Sequence, residues 1–539
     1  MNKDKSGSTK HKIVKNKPLP RLPREFLENR FWLYFALAVA LVLTFLFFDF
    51  KLSTGGDDAT YVSLAKSLAE GVGYKDIWHP DHPPHTLVPP GYPALLVPLV
   101  FVFGVHYFPL KLLSIVFLLG GIWIFNLIIR DRDPGLIGLL ALLAFAFSPD
   151  LVEASHLILS DVPFLFAFVL TVFFFRKWEK EDASNWFYAA VASAVFCYYL
   201  RSAGVAVLAG ALVYLIFRRK FKRALVFAGL AAVLIAPWVL RNAALPHSGG
   251  YLDQFLSSNP YDEAAPLIGF SELLQRLGHN LVIYWTVITP YLLFPPFFGL
   301  FEERTAVDLV MNVVLICIPV LIGLYKDLRR SVNIYHFLIL FYFLMIIFWP
   351  VVWASARFLY PLYPFIIYFF FVGISYPGRY LRHLPAVAAL IVAVAYLMIY
   401  IPVLPNQIRA NTAYVGGNHF AGYTLDWVRY YEAAGWAKAN TPPGSVMMCR
   451  KPHLFYLVSD RPSFGYPMTE DSLKILQAIS EADYVILDNF FWTNRTQRVL
   501  YPILNEHTDW YTFEYTTVYP ETYVLKVKEQ YKKKTETIP

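Results

Sequence analysis

Eleven apolar runs of 14 to 22 residues recur along the first 402 positions, at 31–50, 108–129, 135–148, 162–176, 186–200, 203–217, 224–240, 308–325, 333–350, 359–376 and 384–402, most of them separated by short polar breaks. A helix needs about 20 apolar residues to cross a bilayer core, and fewer where aromatic or snorkelling ends reach the headgroups. The pattern therefore predicts eleven membrane helices. Two more apolar stretches, 92–104 and 281–300, are rich in proline and aromatic residues. They are expected to lie against protein as interfacial or re-entrant segments; if both cross instead, the parity at the carboxyl end is unchanged. After residue 402 the pattern shifts. WVRYYEAAGWAKAN reads as an amphipathic helix stopped by Pro442, Pro443 and Gly444. Short β-branched runs follow at SVMMC, DYVILD, FEYTTV and TYVLKV, with helical patterns at 471–480 and 495–504. The tail is expected to be a small α/β domain.

Composition agrees with a membrane setting. The mean hydropathy is +0.45 and only 16% of residues are charged, against about 25% in soluble domains. Charge sets the orientation. Residues 1–30 hold nine Lys and Arg against three acids, and the breaks RDR (130–132), RKWEK (176–180), RRKFKR (218–223), KDLRR (326–330) and GRYLR (378–382) fall on that same side of the count. The positive-inside rule makes this side cytoplasmic and puts residues 403–539 outside. The net charge of +8 is thus topological and calls for no nucleic-acid partner. Three separated cysteines, with no CxxC spacing, imply neither a disulfide framework nor a zinc finger. With no eukaryotic retention signal either, the plasma (inner) membrane of a bacterium or archaeon is expected.

Against this frame, a few polar residues stand at the outer ends of spans. LSTGGDDATY follows the first run, with Asp57 and Asp58 at the start of a helix-like stretch. Each is read either as a helix cap or as a carboxylate available for chemistry. SPDLVEASHLILSDVPF, in the second outer loop, carries Asp150, Glu153, His156 and Asp161. A carboxylate at the mouth of a span, as at Asp161, is costly unless paired or in a polar cavity, although Ser160 and Asp161 before Pro163 also suit a helix start. His79, Asp81, His82 and His85 have donor types and spacing that suit a divalent metal, and equally the make-up of a stiff exposed loop. Arg201, Arg241 and Arg357 lie at outer mouths, against the charge bias, where a guanidinium pairs bidentately with a phosphate or snorkels to headgroups.

Four stretches in order, GGDDATY, VPPGYPALLVPLVFVFG, LILSDVPFLF and SARFLYPLYPF, resemble the GT-C superfamily of glycosyltransferases, and within it the protein O-mannosyltransferase and aminoarabinose transferase group. The resemblance spans about residues 31–402. It implies an α-helical polytopic membrane protein of GT-C fold with about eleven helices: a basic cytoplasmic segment (1–30), a catalytic membrane domain (31–402) and an extracytoplasmic α/β domain (403–539). It implies transfer of a sugar from a polyprenyl phosphate carrier to a hydroxyl of protein, lipid or glycan. By position, Asp57, Asp58 and Asp161 are the implied catalytic acids, and Arg201, Arg241 and Arg357 the carrier-phosphate contacts. Members of the group differ in metal use, so the cofactor stays open, a divalent metal included. The usual Asp-Glu pair is Asp-Asp here, which leaves open which residue faces the acceptor, and no WWD signature of oligosaccharyltransferases is present. The chemistry needs a base for the hydroxyl proton and a cation for the departing phosphate, and a single displacement with inversion is expected. A lipid-linked glycan polymerase or ligase would not need the early acid pair. A transporter or flippase would carry its charges within the spans and show paired repeats.

Overall fold

The computed structural model describes residues 23–245, 251–260, 265–295, 305–376, 383–469 and 471–533. The basic break at 378–382 lies outside the described residues. The apolar runs form helices: α1 (Phe31–Leu46), α2 (Asp57–Ala69), α3 (Gly91–Phe103), α4 (Tyr107–Arg132), α5 (Leu136–Ala146), α6 (Pro149–Ala154), α7 (Asp161–Glu181), α8 (Ser184–Leu200), α9 (Gly204–Phe217) and α10 (Phe221–Ala243). Beyond them come α11 (Phe270–Ile283), extended through a π-turn to Leu293, α12 (Ala306–Arg330, itself with a π-turn), α13 (Ile334–Ile347), α14 (Tyr363–Ile374) and α15 (Leu384–Val415). Among the described residues five helices are long and apolar enough to cross a membrane, α4, α10, α12, α15 and the helix covering Glu25–Leu46, and shorter apolar helices pack among them. This is a multi-pass membrane protein. The thirteen-residue α3 reaches about 20 Å, short of a hydrocarbon core of about 30 Å. The last expected run, 384–402, continues without a break as α15 to Val415.

The polar breaks sort to two ends of the bundle. At one end Arg130 donates to the carbonyl of Asn29 (2.6 Å), Arg176 and Lys180 pair with Asp131 (2.5 and 3.0 Å), and Arg132 pairs with the buried Asp327 (2.8 Å). The basic segments at the ends of α4, α7 and α12 therefore share one surface. At the other end, α2, the loop from Tyr74 to Pro90, the start of α7, the end of α8 and the α13–α14 connection meet below the C-terminal domain. Close packing holds the bundle: a Cβ at Gly323 would fall 1.8 Å from the Phe369 carbonyl, and one at Gly373 would fall 1.8 Å from that of Pro319. Only glycine permits this α12–α14 crossing, as small residues do generally where membrane helices touch.

The C-terminal domain begins with α16 (Leu425–Asn440), which stops before Pro442 and Pro443. Its five-stranded sheet has the order β2-β1-β3-β5-β4, from β1 (Met447–Met448), β2 (Ser463–Phe464), β3 (Tyr484–Leu487), β4 (Tyr511–Thr516) and β5 (Tyr523–Val527). The strand β1 pairs in parallel with β2 and β3, and β5 pairs antiparallel with β3 and β4. The central β3 is buried throughout, so DYVILD reads as a continuous apolar strand and not an alternating one. Between β1 and β2 lies α17 (Pro452–Ser459), a helix the sequence pattern had not suggested. It packs onto the bundle, with Lys66 of α2 reaching the Tyr456 hydroxyl (3.0 Å) and Asp460 (3.1 Å).

Candidate active site

The chain leaves α1 and is anchored by Lys111, whose buried ammonium donates to the carbonyls of Asp49 (2.6 Å) and Lys51. It then turns at Gly56, whose φ of 100° belongs to glycine, and enters α2 at Asp57. Gly56 is the N-cap, and no side chain caps the helix. The cap reading of the acid pair therefore fails, and the two residues part company. Asp58 is 1% exposed and accepts the Ile158 backbone N–H (3.0 Å), tying α2 to the second loop. Burial pushes its pKa up to about 6, against the opposing pull of that N–H and of Lys111. The side chain of Asp57 is 61% exposed and meets Arg357 Nη1 at 3.1 Å.

Asp161 opens α7 behind them. Its N-cap, Ser160, has no side-chain capping bond and instead meets the Tyr61 hydroxyl (2.7 Å). Both Asp161 oxygens are taken by guanidinium groups: Arg357 donates to Oδ2 at 3.0 Å and Arg201 pairs with Oδ1. Arg357 thus bridges Asp57 and Asp161, while Arg201 lies against the Phe358 ring (5.4 Å). The two carboxylates push the Arg357 pKa up, Asp161 most strongly, so its charge is permanent.

Asp57, Arg201 and Arg357 line a cavity of about 800 Å³. Its walls combine the proline-rich segment 83–89 with Leu200, Met345, Trp349, Trp353 and Phe358, which set apolar surface beside the charges. Asp58 does not line it. The C-terminal domain contributes His453, missed in the sequence because its carrier α17 had no readable signal. The His453 ring contacts Trp78 edge-on (4.8 Å), and its carbon and nitrogen edge lies 3.6 to 3.7 Å from where a Gly56 Cβ would stand. Burial pushes its pKa down to about 4, leaving it neutral, and its Nδ1 has no hydrogen-bond partner. Lys451 Nζ donates to the Gly55 carbonyl (3.1 Å), a second tie from this domain to the acid loop.

Two expectations are corrected. Arg241 does not join the charged cluster: it donates to the carbonyls of His85 (2.9 Å) and Tyr74 (3.0 Å) and to Asn242 (2.8 Å), and stacks near Tyr74 and Trp238. It is a clamp for the loop from Tyr74 to Pro90. His79, Asp81, His82 and His85 do not form a ligand set. His85 uses Nδ1 on Asp76 (2.9 Å) and Nε2 on the Val88 N–H (2.9 Å), which leaves no nitrogen for a metal. Among the described residues no group of three or more His, Cys, Asp or Glu is placed to hold one. His156 is likewise structural, bonded to the Thr44 carbonyl (2.8 Å).

The family described as dolichyl-phosphate-mannose-protein mannosyltransferase matches residues 82–240, a stretch that includes Asp161 and Arg201. The fold is similar to that of ArnT from Cupriavidus metallidurans, solved bound to undecaprenyl phosphate, with 12% identity, a TM-score of 0.59, and 94% of this chain and 100% of that chain covered. The chain is a glycosyltransferase of GT-C fold. The Archaeoglobus fulgidus oligosaccharyltransferase, solved tethered to an acceptor peptide, is also similar to this glycosyltransferase in fold, at 13% identity and a TM-score of 0.50, over 95% of this chain and 76% of that one. No curated protein sequence matches the chain.

Proposed function

We propose that the protein moves a sugar from a polyprenyl phosphate carrier to an acceptor hydroxyl at the non-cytoplasmic face of the plasma (inner) membrane, with Asp57 as the base. One observation carries this reading: a solvent-reachable carboxylate, Asp57, sits 3.1 Å from an arginine that a second, buried carboxylate holds in place, at the end of a cavity with an apolar wall. An apolar wall suits a prenyl chain, and Arg201 and Arg357 suit the phosphate at its end. The undecaprenyl phosphate in the similar ArnT structure supports a lipid-linked donor of this kind.

In the reaction, Asp57 accepts the proton of the acceptor hydroxyl as its oxygen attacks the anomeric carbon. The bond from that carbon to the phosphate oxygen breaks, and the carrier phosphate leaves with the electron pair. Arg201 and Arg357 stabilise the charge that develops there, and they need no reorganisation because Asp161 already orients both. Asp161 is thus a positioning residue, with no free oxygen to act as base. Asp58 holds the start of α2 against the second loop. A single displacement inverts the anomeric centre.

The test replaces Asp57 by Asn in membranes supplied with polyprenyl phosphate sugar. Transfer is expected to fall by about 10²- to 10⁴-fold, the range of a lost general base, while Asp58→Asn is expected to lose less than about tenfold because Asn keeps the acceptor for the Ile158 N–H. Equal losses in the two variants would remove Asp57 from the role of base.

A further inference from the structure

The C-terminal domain carries a second cleft, of about 790 Å³, between the segment Asn489–Asn494 after β3 and the β4–β5 turn at Tyr519–Glu521. Three large rings line it facing outward: Phe491 is 60% exposed, Trp492 50% and Tyr519 71%. This is not frayed core. The neighbouring Phe490 is buried against Trp427 (4.4 Å) and Tyr430 (5.0 Å), and the Phe491 N–H is fixed by Asp426 (2.8 Å), so the loop is held with the next two rings turned out. Amides occupy the cleft beside them. Asn489 Nδ2 donates to the Glu521 carbonyl (2.7 Å), and Gln497 Nε2 donates to Asn489 Oδ1 (2.6 Å) and the Asp488 carbonyl (3.0 Å). Gln497 Oε1, buried at the cleft, has no partner.

Half-exposed and exposed rings interleaved with amides match a sugar, which has apolar C–H faces and hydroxyls that both donate and accept. Among the lining residues only Glu521 carries charge, while Arg450 and Lys451 lie over the Trp492 ring (5.4 and 5.2 Å). The cleft also connects to the acid loop. Lys451 lies over the Trp492 ring (5.2 Å) and donates from the same Nζ to the Gly55 carbonyl, two residues before Asp57.

We propose that this cleft binds the acceptor, and that the acceptor is a neutral oligosaccharide, stacked on Trp492 and Phe491 with its hydroxyls on the Asn489 and Gln497 amides. The proposal rests on the transfer reaction above and narrows its acceptor to a glycan.

The test uses the full-length protein in detergent micelles and three probes, chitotetraose, cellotetraose and mannotetraose, with binding read by saturation-transfer NMR. At least one is expected to bind wild type and Asp57→Asn alike. Trp492→Ala is expected to weaken that binding by about tenfold or more, whereas Trp492→Phe, which keeps a stacking face, retains it. In the transfer assay Trp492→Ala raises the acceptor KM and leaves the donor KM unchanged. Absence of binding by any of the three probes, or equal binding by Trp492→Ala, overturns the site. So does a Trp492→Ala defect confined to bilayer-embedded enzyme without saccharide binding, which would make the rings a membrane seat. Because Asp57→Asn is scored for binding and transfer separately, failure of the cleft leaves the donor chemistry standing, and failure of Asp57 leaves the glycan site standing.

Discussion

Asp57 and Asp58 are adjacent and chemically identical, yet one faces a cavity and the other is sealed beneath the loop. The consequence for Asp58 is measurable. Its folded pKa is raised from 3.8 to about 6 by burial, so the folded state favours the protonated acid. That contribution is present below the unfolded pKa and is lost as pH rises through about 6, a cost on the order of 3 kcal/mol at pH 7. The thermal midpoint of the detergent-solubilised protein is expected to fall between pH 4 and pH 7 by more in wild type than in Asp58→Asn. A parallel pair of pH curves would show that the buried acid carries no such penalty. His453 is the complementary case, a neutral ring beside Gly56 with an unpartnered nitrogen at the cavity. His453→Ala is expected to lower transfer by up to about 10²-fold, the scale of a misplaced site geometry, while wild-type thermal stability is kept within a few degrees.

Helix packing makes its own demands. The α12–α14 crossing brings backbone to backbone at Gly323 and Gly373, where an added Cβ would lie 1.8 Å from a carbonyl oxygen. Gly323→Ala must push the helices apart. It is expected to lower the thermal midpoint by several degrees and to reduce transfer through α14, whose preceding turn carries Arg357; an unchanged midpoint in differential scanning fluorimetry would mean the helices separate without cost. By contrast, Gly229 and Gly278 meet nothing within 4 Å. Alanine at those helical positions should be tolerated or mildly stabilising, which provides the control.

At the scale of the molecule, the basic segments among the described residues gather at one end and the charged cavity at the other. The positive-inside rule assigns the first end to the cytoplasm. A periplasm-active reporter fused at the carboxyl end is therefore expected to be active, and a cytoplasm-active one silent; the reverse result would move the cavity to the cytoplasmic face. The family-model match ends at residue 240, short of Arg357 and His453. The site is completed by the last third of the membrane region and by the C-terminal domain.

Much of this was legible without coordinates. Spans are written in composition, because apolar side chains and satisfied backbone make a helix wherever about 20 such residues run together. Four of the five strands stand where β-branched runs predicted them, since those runs bury on both faces or pair at once with neighbours. Asp161, Arg201 and Arg357 were visible as charges where charge is expensive. What the sequence alone determined was thus the local chemistry: which segments are helical, which charges stand at span mouths, and how polarity divides the chain. Partner choice was decided by tertiary structure. Arg201 and Arg241 look alike in sequence, but only the end of α8 faces Asp161, whereas the end of α10 faces the loop carbonyls of Tyr74 and His85. His453 gave no signal because α17 is eight residues long and draws its order from packing on α2. Asp57 and Asp58 were separable only once the Ile158 N–H and the Arg357 guanidinium, 100 and 300 residues away along the chain, were brought against them.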